Sequence, residues 1–230
     1  MFMWLDPLYL LFALPGLALS LAATCYTKSM FSKYSKKESS SRMTGAQAAK
    51  EMLDSAGLTN VKIEKVQGFL SDHYDPRTRT LRLSPDVYGN TSLSSIGVAC
   101  HEAGHALQHA ANYAPLAIRS KLVPATSFGS NAAYFFIIGG FLFQSNGLIL
   151  LGAALFSLAV LFSIVTLPVE WNATSRAKGA VLQSGILTPH EQKDAGRVLN
   201  AAFMTYVASA VSSALILLYF LMRAGVLGDD

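Results

Sequence analysis

The chain has 230 residues, of which 52% are hydrophobic and 14% charged, with a formal net charge of +4 at pH 7. Soluble domains carry about 25% charged residues, so an ordinary water-soluble globule does not fit. The basic residues form no dense patch interleaved with aromatics, which excludes nucleic acid as a partner.

The apolar residues are gathered into long runs, and about 20 such residues suffice to cross a bilayer. The expected architecture is mainly α and integral to a membrane, with about four transmembrane helices and a small α+β cytoplasmic domain. The two cysteines, Cys25 and Cys100, lack Cys-x-x-Cys spacing and imply no disulfide framework.

Residues 1–27 read as an N-terminal transmembrane helix, with Leu8 to Thr27 as its apolar run. Trp4 and Tyr9 at its start, and Tyr26 and Lys28 at its end, suit the interface. Positive charge follows the run and does not precede it, which favours a retained anchor over a cleaved signal peptide. Residues 28–43 are a basic, serine-rich linker carrying Lys33, Lys36, Lys37 and Arg42. Such a segment is solvated and weakly attracted to anionic headgroups.

Residues 44–124 form the polar domain. Thr44 starts a helix with Gln47 three residues on, a capping box. Ala48, Met52 and Ala56 make its apolar stripe, and Gly57 stops it. Val61 to Val66 alternates with period two, as a half-buried strand does. Gly68 to Tyr74 and Thr78 to Ser84 read as a hairpin around the turn Asp75-Pro76-Arg77-Thr78. Asp72, His73 and Asp75 sit on its rim. Solvation alone explains such a rim, and a substrate contact or outer-sphere role suits His73 better than direct catalysis. The hairpin edge also offers a place for an extended peptide.

Several N-caps lie between Thr91 and Ser95, and the helix they start is expected to reach about Asn112 and end at Pro115. It carries His101-Glu102-Ala103-Gly104-His105. Residues four apart share one helical face, so His101 and His105 can address one metal ion. Glu102 adjoins the first of them, within reach of a bound water. Zinc suits this set because it accepts imidazole nitrogen, tolerates an open position and acidifies water. Glu102 could then take the water's proton and pass it to a leaving amine, the mechanics of a metallopeptidase.

Two histidines four apart also occur by chance on helices, so the setting matters. Gly104 and the alanines keep this helix narrow, and the apolar run Ile96 to Cys100 leads into it. His109 lies about 12 Å along the axis from His101, too far to share an ion, and reads as an outer or surface residue. Cys100 points about 100° away from His101 and reads as a small buried residue.

Residues 125–168 read as a transmembrane hairpin. Its first span, Ala125 to Phe143, is interrupted by Ser127, Ser130, Asn131 and Gly139-Gly140. Small polar residues can be packing glue between helices, or Asn131 can face the site. Its second span is Leu148 to Leu167, with Pro168 marking an end or a kink. Residues 169–200 return to the polar side. Glu170 could be an interfacial charge, but such residues are usually Lys or Arg. As a carboxylate from a neighbouring helix it completes a three-ligand site with one open position. Trp171 reads as an interface anchor. Arg176 is either a charge flanking the span or the partner of a carboxylate in the site. Thr188-Pro189 starts a short helix with Pro in its first turn, and its Glu191 and Asp194 suit a solvated face. Residues 201–230 hold the last span, Ala201 to Met222, ending at Arg223.

Of the 18 Lys and Arg, only Arg223 falls beyond the last span. The excess of basic residues on cytoplasmic loops then puts the linker, the motif helix and Glu170 in the cytoplasm, and both termini outside.

The phrases Ser71-Asp72-His73-Tyr74-Asp75-Pro76, Leu81-Arg82-Leu83-Ser84-Pro85, His101 to Gln108, and Leu167-Pro168-Val169-Glu170-Trp171-Asn172-Ala173 together resemble the YugP-type neutral zinc metallopeptidases of bacterial membranes. The resemblance covers nearly the whole chain. That family is inferred to be membrane gluzincins, similar in plan to the HtpX/Ste24-type proteases. In these a strand precedes the HExxH helix and a Glu from a later helix is the third ligand. The resemblance implies a zincin-like domain, one Zn2+ per chain on His101, His105 and Glu170, and Glu102 as general base. It implies a polypeptide substrate and a bacterial plasma membrane. Trp171 stands where Phe is expected, and Asn172 where Asp or Asn is expected, so the resemblance assures no outer-sphere carboxylate there.

Three other readings compete. A non-proteolytic membrane scaffold or chaperone-like protein could retain a zinc site, but such a site has no need of a base at Glu102. An intramembrane site-2-type protease would place an aspartate ligand in a later span, and Asp194, Asp229 and Asp230 lie in none. A transporter would be expected to show internal repeats, and none is recognisable. Substrate specificity and oligomeric state are not legible in the sequence.

Overall fold

The structure is a computed structural model that describes residues 6–68 and 71–227. The expected anchor Trp4, residues 69 and 70 of the first hairpin strand, and Asp229 and Asp230 lie outside the described residues.

Helix α1 (Pro7–Tyr34) opens the chain and is followed by α2 (Gly45–Ser55). Strands β1 (Lys62–Lys65), β2 (His73–Asp75) and β3 (Thr80–Leu83) come next. A single turn, α3 (Pro85–Tyr88), leads into α4 (Leu93–Ala110), the helix that carries the motif. Three long helices complete the chain: α5 (Ala114–Leu142), α6 (Asn146–Gln183) and α7 (Pro189–Arg223). The contacts divide the chain into two units. One holds residues 1–24, 117–167 and 205–230; the other holds residues 25–116 and 168–204.

The second unit contains the sheet and α4. Its first helix is set by the capping box foreseen at Thr44. The Thr44 hydroxyl accepts the Gln47 N–H at 3.2 Å, and Gln47 Oε1 accepts the Thr44 N–H at 2.9 Å. Ala48, Ala49, Met52 and Leu53 are buried along one face of α2. The strand order is β1-β3-β2, with β1 parallel and β2 antiparallel to β3. Leu81 and Leu83 share the inner face of β3 and are fully buried, together with Val87, Leu93, Ile96 and Cys100. Ser92 caps α4 by accepting the Ser95 N–H.

The β2–β3 turn is held by Asp75, which accepts from the Arg77 N–H and the Thr78 hydroxyl at 3.0 Å each. Burial opposes the charge on Asp75, but these donors and the Arg82 guanidinium outweigh it and hold the carboxyl at about 2. A carboxyl depressed on folding stabilises the fold above its ordinary range, and that contribution fades as pH falls through about 2. Asp75→Asn is therefore expected to lower Tm by about 2–4 °C at pH 7. The deficit should shrink steadily on acidification. A deficit equal at pH 7 and pH 2.5 in thermal unfolding scans would contradict this.

Several helices are longer than the sequence suggests. α1 continues to Tyr34, so the first part of the basic linker is helical. Pro115 does not end α4; it lies in the first turn of α5, and the break falls at Asn112, with φ 51°. Pro168 neither ends nor splits α6. It removes one backbone bond, but Val169, Ala173, Ala177 and Val181, four residues apart, are all buried beyond it. That stripe holds the helix on course. α7 likewise starts at Pro189 as expected but runs 35 residues without a stop. Glu191 and Asp194 are buried, not solvated. Glu191 accepts from the Ser40 N–H and hydroxyl, and Asp194 pairs with Lys37 and Arg197. The linker is thus docked on α7.

The first unit contains the apolar helical stretches. Among the described residues three helices, α1, α6 and α7, are long and apolar enough to cross a membrane. α5 is not among them, because Ser127, Ser130 and Asn131 interrupt its apolar run. Ala133 and Ile137 of α5 are buried with Ile149 and Ala153 of α6. Ser163 meets Ser213 at 3.0 Å and Ser20 meets Ser212 at 3.2 Å, hydroxyl pairs that join apolar helices.

Candidate metal centre

Every member of the candidate centre lies in the second unit. The helical period turns His101 and His105 to one side of α4, with ring centroids 5.0 Å apart and planes at 82°. The ligand atoms of His101, Glu102 and His105 all lie within 4.8 Å of one another. α6 delivers Glu170 to the same place, with 1% of its surface exposed. Glu170 Oε2 is 3.1 Å from His101 Nε2 and 3.6 Å from His105 Nε2. Ligand atoms on one tetrahedral zinc with bonds of about 2.0–2.1 Å lie roughly 3.3–3.4 Å apart. Both carboxylate–imidazole spacings lie within a few tenths of an ångström of that value, and the donor set of two imidazoles and a carboxylate suits the ion.

Each imidazole is also held from behind. His101 Nδ1 meets Thr174 Oγ1 at 3.1 Å, and His105 Nδ1 meets Gln108 Oε1 at 2.9 Å. Both rings therefore turn Nε2 toward Glu170. Outer partners of this kind orient metal-binding histidines.

The approach of α4 to α6 depends on Gly104. A Cβ there would lie 2.6 Å from the Ala173 carbonyl oxygen. Burial pushes the Glu102 carboxyl up; His105 and His101 pull it down, and Glu170 and Asp72 add to the rise. The balance is a rise above the ordinary carboxyl range. Burial pushes His105 down, but Glu170 and Glu102 raise it further. Cys100 is fully buried and its thiol is pushed up to about 12, so it is a neutral packing residue and not a thiolate ligand.

The other sequence candidates separate. His109 bonds the Tyr74 hydroxyl of β2 at 3.0 Å. His73 is exposed, with Nδ1 on the Ser71 carbonyl. Asp72 binds the Ser84 N–H and hydroxyl, but its charge is felt at Glu102. Asn131 is an exposed residue of α5 and belongs to the first unit. Asn172 Oδ1 accepts from Gln108 Nε2 at 3.0 Å and from Arg176 Nε at 2.8 Å. Arg176 thus bonds an amide rather than a carboxylate of the site, with its guanidinium 6.0 Å from the Tyr113 ring. Trp171 is 57% exposed and packs edge-on against Phe203.

Thr174 and Gln108 were not singled out in the sequence. Their signal was spacing: Thr174 is four residues after Glu170, and Gln108 three after His105, so each shares a helical face with that neighbour.

Residues 9–225 match a family described as "Putative neutral zinc metallopeptidase". The chain is 47% identical over 215 residues to a Bacillus subtilis protein named "Putative membrane protease YugP", covering 94% of this chain and 96% of that one. No solved structure matches it.

Proposed function

The chain belongs to the family of putative neutral zinc metallopeptidases, and on that premise we propose that it is a zinc-dependent endopeptidase of the HExxH gluzincin type. The observation that carries this is Glu170 of α6 standing 3.1 and 3.6 Å from the Nε2 atoms of the two motif histidines. His101, His105 and Glu170 hold one zinc ion per chain. When bound, that ion supplies a Lewis acid that polarises a carbonyl and acidifies water. Glu102 takes the proton of the attacking water and delivers it to the leaving amine. Its raised carboxyl suits both halves of that transfer. Thr174 and Gln108 keep the two imidazoles aimed.

The substrate is polypeptide, and the protein works in the bacterial plasma membrane, since its relative is named a membrane protease. α5 pairs with α6 as a fourth span beside α1, α6 and α7. The basic residues, all but Arg223 on one side of these spans, put the catalytic unit at the cytoplasmic face.

The test is cleavage of unfolded casein by purified protein in detergent. A chelator should stop cleavage, and a stoichiometric amount of zinc should restore it. Cleavage indifferent to a chelator that has stripped all metal would overturn the proposal.

A further inference from the structure

We infer that Gln108 is a positioning residue that fixes the tautomer of His105 and ties it to the turn of α6 bearing Glu170. The inference rests on the zinc-centre reading above and assigns the group that sets the centre's polarity.

Gln108 has no exposed surface, so water cannot substitute for its partners. Its Nε2 lies 2.7 Å from the Val169 carbonyl oxygen and 3.0 Å from Asn172 Oδ1. A carbonyl oxygen only accepts. The group facing Val169 must therefore be the NH2 of the amide, and Oε1 must face His105. Asn172 gives the same answer independently. Arg176 Nε meets Asn172 Oδ1 at 2.8 Å, and a guanidinium only donates. The Asn172 atom at that junction is thus an acceptor, which again makes Gln108 Nε2 the donor.

The polarity then passes to the histidine. Gln108 Oε1 only accepts, so His105 Nδ1, 2.9 Å away, carries the hydrogen. Neutral imidazole has one N–H. Nε2 is therefore left with its lone pair, facing Glu170 Oε2 at 3.6 Å. Two acceptors pointed at each other are reconciled by a cation between them, or below the imidazole's own pKa by a proton on Nε2. Val169 immediately precedes Glu170, so one amide registers the second histidine on α4 against the third ligand on α6.

The test uses the full chain in detergent, stripped of metal, with 15N-labelled histidine. His105→Gln assigns the His105 signals. At alkaline pH the nitrogen shifts of wild type should report an Nδ1–H, Nε2-lone-pair ring at His105. Gln108→Met, close in size but without polar atoms, should lose that preference. It should also weaken zinc binding about 10–100-fold in chelator competition, the usual effect of losing such a partner. Asn172→Ala leaves the Val169 contact in place and should keep the tautomer. An Nε2–H ring in wild type overturns the inference. So does Gln108→Met with an unchanged tautomer and a zinc Kd within about twofold of wild type. The wild-type reading decides by itself if Gln108→Met fails to fold. If the chain binds no zinc, the zinc-centre reading fails, while the tautomer still decides the role of Gln108.

Discussion

Gly104→Ala is expected to destabilise the protein and to release its zinc. Helix propensity alone argues the reverse, because alanine is favoured over glycine inside a helix by up to about 1 kcal/mol. The clash decides the sign. The new Cβ would lie 2.6 Å from the Ala173 carbonyl oxygen and 3.2 Å from its carbon. These are backbone atoms of α6, which cannot swing aside as a side-chain tip can. Relief requires α4 and α6 to part, and overpacking of this kind costs about 1–3 kcal/mol. His101 and His105 move with α4, while Glu170 moves with α6. Bonds of about 2 Å do not tolerate such a separation, so zinc affinity should fall by more than about tenfold. Thermal unfolding of the metal-free protein and zinc titration both check this. A higher Tm with undiminished zinc affinity would show that the helices are not in contact there.

Glu102→Gln is expected to lower kcat for casein cleavage by about 10²–10⁴-fold, the usual scale for losing a general acid–base group, with zinc still bound. The amide keeps the shape of the carboxylate but can neither take nor deliver the proton. The surroundings of Glu102 favour this role: burial and the nearby Glu170 and Asp72 raise its carboxyl, which makes it a stronger base. Activity within about tenfold of wild type would remove Glu102 from the mechanism. Loss of zinc along with activity would instead make Glu102 part of the metal's support.

Much of the centre was legible because local rules specify it. His101, Glu102 and His105 are fixed by the helical period, and the Thr44 cap by a four-residue pattern. Glu170 was singled out because a carboxylate just after an apolar helix needs a reason, and α6 brings it beside the two histidines. The sequence was less informative where tertiary packing overrides local signals. Pro168 read as an end or a kink and Pro189 as the start of a short helix, yet α6 runs unbroken through Pro168 and the helix begun at Pro189 extends 35 residues. For α6 the cause is the buried stripe from Val169 to Val181. Glu191 and Asp194 read as solvated because their partners, Ser40 and Lys37, are some 150 residues away in sequence, at separations of 151 and 157. Gln108 was missed because its role needs three partners from two helices, and spacing reveals only one of them.

The claim on which the rest depends is that Glu170 joins His101 and His105 around one ion. Metal content by mass spectrometry, on purified wild type and Glu170→Ala after dialysis against a weak chelator, tests it most directly. About one zinc per chain in wild type, and little or none in the variant, is the expected result. Full retention of zinc by Glu170→Ala would contradict the three-ligand centre and require another side chain in its place.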